Sequence, residues 1–362
     1  MLSPAVCALV ILFALPALGA DYGKVTTKKL AEDVYLFTTS PYADVGFCGN
    51  SVAIVSDQGV LVFDSSATPE TAQTILGEIR KLTDKPIRYL VNSHWHWDHW
   101  QGNQIFVAAF PGLQIITHEK NREMMMAVEP RWNKKGLTED LPQFLEGFEK
   151  QIAAGKANHL PEERIKRAEE RLAADRNFLE QKRSVLKTYP NVTFSDSLTV
   201  LLGSREVRML HAHAITPGDT YVYLPKERIL ITGDILLNPY PYAIGGSYPA
   251  EWLATLIQFA GLHPAVIVPG HGDAVTNSEL LESNIALFQQ VVRQVKDARA
   301  KGMTHEQTTD ALGKQAAALA AKVGIHDADA VGAFRSYFLD VFVKRAYREL
   351  DGPLGDLPDG LP

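Results

Sequence analysis

Cysteine is nearly absent, with two residues in 362, Cys7 and Cys48. Cys7 falls in an apolar N-terminal stretch, so Cys48 stands alone beyond it and no intramolecular disulfide can staple the fold. A lone cysteine of this kind is most often a small buried residue. Positive charge is also in short supply: 36 Lys and Arg stand against 42 Asp and Glu, a net of −6, and no polybasic run occurs. That balance argues mildly against a nucleic-acid partner, which usually leaves a basic footprint. Low-complexity tracts are missing, and the charged stretch at 161–187 mixes both signs, as a solvated helix face does. The apolar N-terminal run, AVCALVILFALPAL at 5–18, is too short for a comfortable membrane span, which needs about 20 apolar residues. It ends in Gly19-Ala20 and is followed by polar DYGK. This is the pattern of a secretory signal peptide over 1–20, cut near Ala20. It leaves a periplasmic or secreted chain with no stable membrane span, and Asp21 at the cut speaks against a lipid-anchored cysteine. The alternative is an apolar anchor that stays attached.

What remains has the makings of a large core. Hydrophobic residues are 46% and charged residues 22% of the chain, ordinary for a soluble globular protein. Short β-branched or aromatic runs at 34–37, 51–55, 59–64, 87–92 and 113–117 read as strands bounded by Gly, Asp and Pro. PETAQTILGEIRKL at 69–82 has helical spacing with Pro near its start. Residues 137–189 carry apolar positions at Ile165, Ala168, Leu172, Leu179 and Leu186, and read as a helical insertion. Strands resume at 198–202, 207–213, 220–224 and 229–231. A helix near 249–262, an apolar run at 265–269 and an alanine-rich helical region from about 277 complete the chain. Two strand-rich halves, each flanked by helices, predict layered α/β packing with sheets buried between helices. The main domain is expected over 21–300, with 301–362 as a helical extension of it.

Residues 93–103, SHWHWDHWQGN, follow directly on a strand. His94 and His96 are two apart, so in extended backbone they face the same side, and Asp98 and His99 come at the following turn. Imidazole and carboxylate are the ligand types zinc accepts, and a catalytic zinc keeps one position open for water. Four such groups in six residues exceed what one tetrahedral ion takes from a single loop, which suggests two adjacent ions.

Together with GVLVFD at 59–64, ITPGDTYVYLP at 215–225, ILITGD at 229–234 and VPGHGD at 268–273, this run resembles the metal-binding signature of the metallo-β-lactamase-fold hydrolases, over residues from about 30 to 300. The resemblance implies a four-layered αββα sandwich and one or two Zn2+ per chain. It places His94 and His96 on a first ion and Asp98, His99 and His271 on a second, with Asp234 bridging. Asp98 would also be the catalytic residue, holding both ion and water. Asp64 resembles the buried carboxylate that supports the metal loop.

One position departs from the family's pattern. Anchoring on Thr216, Gly218 and Asp219 puts Ile215 where the first ion's third histidine belongs, and isoleucine cannot bind a metal. Either His211 or His213 takes over, or the first site is incomplete. The expected function is a zinc-dependent hydrolase using activated water on an ester, thioester or amide, β-lactams included. The alternative is a metal- or ligand-binding protein on a hydrolase fold with lost or altered catalysis. Tyr42, Phe47, Asn238-Pro239, Tyr240, Tyr242, Tyr248 and Trp252 would line a mouth for a small-molecule substrate, or serve as ordinary packing.

Overall fold

The computed structural model describes residues 22–243 and 246–358; the apolar N-terminal segment, its expected cleavage site and Cys7 lie outside them. Among the described residues, β1 (Val25–Ala31), β2 (Val34–Thr39), β3 (Ser51–Ser56), β4 (Gly59–Phe63), β5 (Ile87–Val91), β6 (Gln114–His118) and β7 (Val192–Phe194) form one sheet in that order. Neighbours from β1 to β4 run antiparallel, and those from β4 to β7 run parallel. A second sheet has the order β12-β11-β10-β9-β8, from β8 (Ser197–Leu202), β9 (Arg205–Ala212), β10 (Asp219–Leu224), β11 (Ile229–Ile231) and β12 (Val266–Val268). Its pairs are antiparallel except β11 with β12.

The two-residue period of a strand explains the layering. β4 is buried along its whole length. Its Leu61 and Phe63 face Val222, Leu224 and Ile231 of the other sheet, while Val60 and Val62 face outward onto Ile75 and Ile79 of the Pro69–Leu82 helix. On the far side, Tyr221, Leu230 and Ile267 pack against Trp252, Phe288, Phe338 and Phe342. The result is an αββα sandwich whose outer layer on that side includes the Pro249–Gly261, Glu279–Ala300 and Asp340–Glu349 helices. No helix among the described residues is long and apolar enough to cross a membrane.

Most sequence-read elements lie within two residues of their observed bounds. β1 escaped notice because Thr26–Lys29 are exposed; two lysines on an outer strand protect an edge and mask the alternation. The segment 137–189 holds the Leu141–Ala157 and Glu162–Arg183 helices, which bury Leu145, Ile152, Leu172 and Phe178 against Tyr42, Val45 and Cys48.

Candidate metal centre

Strand ends from both sheets deliver the site. β4 stops at Phe63, and Asp64 follows with φ +56°, a left-handed conformation Asp tolerates better than most residues. β5 runs out at Val91 into His94 and His96, and one helical turn, Trp97–Trp100, carries Asp98 and His99. From the second sheet, Asp234 sits on a 3-10 turn just past β11, and His271 lies on the loop after β12. In open α/β sheets, the carboxyl ends of parallel strands are where ligands bind.

Asp64 organises the first half. Ser93 donates its backbone N–H to Asp64 Oδ1 at 2.7 Å and its hydroxyl to Oδ2 at 2.7 Å. His99 Nδ1 lies 2.8 Å from the same Oδ2. That contact assigns the proton to Nδ1 and turns His99 Nε2 toward the centre, the way ring orientation is set by the partner of the other nitrogen. There His99 Nε2 is 3.2 Å from Asp98 Oδ2 and 3.1 Å from Asp234 Oδ1. His271 Nε2 is 3.0 Å from Asp98 Oδ2 and 3.5 Å from Asp234 Oδ1.

These separations match a shared ion. Donors on a tetrahedral zinc with bonds of about 2.0–2.1 Å lie about 3.3–3.4 Å apart. Asp98 Oδ2, His99 Nε2 and Asp234 Oδ1 are also buried without any hydrogen-bond partner, a condition that native proteins rarely leave uncompensated. Donor atoms of His94, His99 and Asp234, and of Asp98, His99 and His271, converge as two groups able to hold a metal ion.

Electrostatics point the same way. Burial opposes ionisation of Asp98 and Asp234, but the imidazoles of His99 and His271 outweigh it and hold both carboxyls well below the usual range. Burial likewise opposes a charge on His99, yet Asp234, Asp98 and Asp64 raise it well above an ordinary histidine. His94 and His96 are different: burial keeps both neutral, His96 at about 4.

The His94 side of the site is less complete. His94 Nε2 lies 2.8 Å from His96 Nδ1 and 3.6 Å from Asp234 Oδ2. At the third position Ile215 is 1% exposed and packed in the apolar core. Neither His211 nor His213 joins a donor group with His94 or His96. Instead His211 Nε2 donates to the Pro217 carbonyl at 3.1 Å, and its ring stacks on His118 at 3.7 Å. His213 is exposed and stacks on Tyr248 at 5.1 Å.

Much of the expected mouth is packing. Trp252 is buried and donates Nε1–H to the Ile235 carbonyl. The Tyr42 hydroxyl is bonded to Thr68 and Thr71, and that of Tyr248 reaches Gly355 and Asp356. Tyr242 stacks on Tyr337. Phe47 does meet the centre, its ring 5.6 Å from His271. Trp95 packs with Trp100 and Met125, and Trp97 with Phe47 and Phe178, so both wedge the metal loop from outside.

Other residues that shape the site carry no motif. Asn50 donates from Nδ2 to the carbonyls of Pro269 and Gly272, fastening the loop before β3 to the His271 loop. A Cβ on Gly49 would sit 2.4 Å from the His99 ring, and one on Gly270 would sit 2.0 Å from Asp234 Oδ1. Only glycine lets backbone approach donors this closely.

An αββα sandwich with a His/Asp cluster at its strand ends defines a class, and comparison with known proteins agrees. Residues 46–271 match the Metallo-beta-lactamase superfamily, and the chain belongs to that superfamily. A linear primary-alkylsulfatase from Pseudomonas sp. (strain ATCC 19151) is 24% identical over 266 residues, 72% of this chain and 48% of that protein. The type 2 metallo-beta-lactamase of Elizabethkingia meningoseptica is 29% identical over 96 residues, 26% of this chain and 39% of that one. The chain thus spans about half the length of the first relative and less of the second. Among solved structures, a metallo-beta-lactamase from Pontibacter korlensis superposes with TM-score 0.51 at 16% identity, covering 74% of this chain and 99% of that one. The metallo-beta-lactamase FIM-1 from Pseudomonas aeruginosa in its mono-zinc form gives 0.50 at 14% identity, covering 75% and 97%. At such identities the likeness establishes the fold.

Proposed function

We propose that this protein is a zinc-dependent hydrolase acting on a small-molecule ester, thioester or amide. The observation that carries the reading is the set of buried donor atoms on Asp98, His99 and Asp234, with His99 Nε2 at ligand spacing from a carboxylate oxygen on either side. Asp98, His99, Asp234 and His271 would hold that ion. Asp234 presents Oδ1 to His99 and His271 and Oδ2 to His94, so it would bridge to a second ion on His94 and His96, which Ile215 leaves one protein ligand short. A divalent ion in such a place supplies Lewis acidity and a water that ionises near neutral pH.

The chain's own part is orientation. The His99 and His271 imidazoles hold the Asp98 carboxyl low, so it would take a hydrogen bond from the attacking water and aim it. Asp64 fixes His99, and Asn50 holds the His271 loop in register with the first sheet. The relatives suggest two substrate classes, primary alkyl sulfates and β-lactams, to test beside carboxylic esters and thioesters. Export through cleavage near Ala20 belongs to the same proposal, and the mass of the protein recovered from the periplasm or medium checks it.

The test begins with zinc content of the chain from Asp21 onward after dialysis, followed by turnover on that substrate panel. One tightly retained ion is expected, with a second gained at higher zinc. Activity should vanish with a chelator and in Asp98→Ala. A second reading, a metal-binding protein that no longer catalyses, is favoured by Ile215 alone; tight zinc binding with no turnover on any substrate would support it. Failure to bind zinc sinks both.

A further inference from the structure

Lys182 is a lysine in the wrong place for a solvated helix. The solvent face of the Glu162–Arg183 helix displays Glu163, Arg167 and Arg176 in surface ion pairs. Lys182 is 6% exposed, and lysine is almost never this buried unless a partner holds it. Its ammonium lies 3.9 Å from the centroid of the Trp97 ring and donates to Gln101 Oε1. Trp97 and Gln101 bracket the single turn that carries Asp98 and His99, and the Gln101 N–H closes that turn onto the Trp97 carbonyl. Gln101 Nε2 donates onward to Glu129 Oε1 at 2.7 Å, and Glu129 pairs with Lys187.

The same helix grips the turn from its other side. Asp175 Oδ1 accepts the backbone N–H of Asp44 at 2.8 Å and of Val45 at 3.1 Å. Phe178 occupies the space over Gly46, where a Cβ would lie 2.4 Å from its ring. The loop so held carries Phe47, 4.9 Å from Trp97, and Gly49, whose N–H donates to the Asp98 carbonyl at 3.0 Å.

We propose that Lys182 is a positioning residue for the ion held by Asp98 and His99: lodged over Trp97 and bonded to Gln101, it fixes the turn that presents those two donors. The inference rests on the metal reading above and assigns the insertion a role in building the centre. Its hold on Asp98 and His99 runs through Trp97 and Gln101, and the charge of Asp98 acts on the ammonium as well. Partners of this kind typically change metal affinity by about 10–100-fold. The effect should fall on the Asp98–His99–His271 ion and spare the His94–His96 side, which Lys182 does not approach through Trp97 or Gln101.

The experiment titrates the full mature chain with zinc and with cobalt(II) against a competing chelator, in wild type, Lys182→Gln and Lys182→Arg. Thermal unfolding of each metal-free protein is recorded alongside. Lys182→Gln is expected to weaken the tighter ion by about 10-fold and to alter its cobalt absorption spectrum. The weaker ion should be unchanged, and Lys182→Arg, which can still stack on Trp97 and donate to Gln101, should restore most of the loss. A Lys182→Gln protein with wild-type affinity and cobalt spectrum overturns the inference, whatever its melting temperature. If that variant does not accumulate folded, Trp97→Phe, which keeps the packing but weakens the seat of the cation, carries the same expectation. Wild type that binds neither metal overturns the metal reading instead.

Discussion

Two histidine clusters occupy this fold, and they have different chemistry. His94, His96, His99 and His271 converge with Asp98 and Asp234 at the strand ends. His118, His211 and His213 gather at the ends of β6 and β9, rings stacked or edge-on within 5 Å. In the second cluster His118 Nε2 donates to the Ser195 carbonyl and His211 Nε2 to that of Pro217. Those protons are already committed to backbone. In the first, carboxylates face the imidazoles, and three buried donor atoms meet only one another and the neighbouring His271. Histidine density therefore says little by itself; carboxylates and unmet donors separate a candidate metal centre from aromatic packing.

The sharpest way to break this comparison is Asp234→Ala beside the double substitution His211→Ala, His213→Ala. If Asp234 bridges as proposed, its loss should remove all tightly held zinc, while the double variant should retain the wild-type zinc content on elemental analysis. Loss of zinc from the double variant would mean the second cluster feeds the centre after all. Next in size is Asp64→Asn. It leaves every proposed ligand in place but disturbs the acceptor that orients His99, so zinc affinity in a chelator competition should fall by about 10–100-fold. Smaller again is Ile215→His, which restores a donor at the vacant third position. It should tighten the weaker ion by about 10-fold, the lower end of what metal-site partners usually contribute, at some loss of thermal stability because the side chain is fully buried among apolar neighbours. No gain in affinity would show that β9 and its following loop hold that position out of reach.

The smallest effect concerns pH and belongs to the other cluster. Burial, and then the neighbouring His118, hold the His211 imidazole down to about 4. Between about pH 6.5 and 4 the unfolded chain thus binds a proton that the folded chain refuses. The contribution of this stack is whole above that window and is lost as pH falls through it. Denaturant melts of metal-free protein at stepwise pH should show a shallower acid loss in His211→Gln, which can still donate to Pro217, than in wild type.

The candidate ligands were legible because metal chemistry restricts residue type: His94, His96, Asp98 and His99 are the ligand types a zinc ion accepts, gathered just behind a strand. The strands at 51–56 and 229–231 were legible because they are buried on both faces and bounded by turn residues. Lys182 was not, since on its own helix it reads as one more solvated cation; its partner Gln101 is 81 residues away. Gly49, Asn50 and Gly270 were equally silent. Each matters through what approaches it from a distant segment, and a linear pattern carries no trace of that. The aromatic residues after Asp234 left two readings open in sequence, a binding wall or ordinary packing, and Tyr248 and Trp252 are spent on bonds to Gly355 and Ile235.

Asp98 and His99 hang from one sheet, Asp234 and His271 from the other. An ion shared among them would act as a rivet through both halves of the sandwich, and the availability of metal outside the protein would become part of its mechanical strength. At free zinc a hundredfold above the dissociation constant, that rivet is worth about 2.7 kcal/mol to the folded chain, enough to govern how long the two halves resist a protease once zinc runs short.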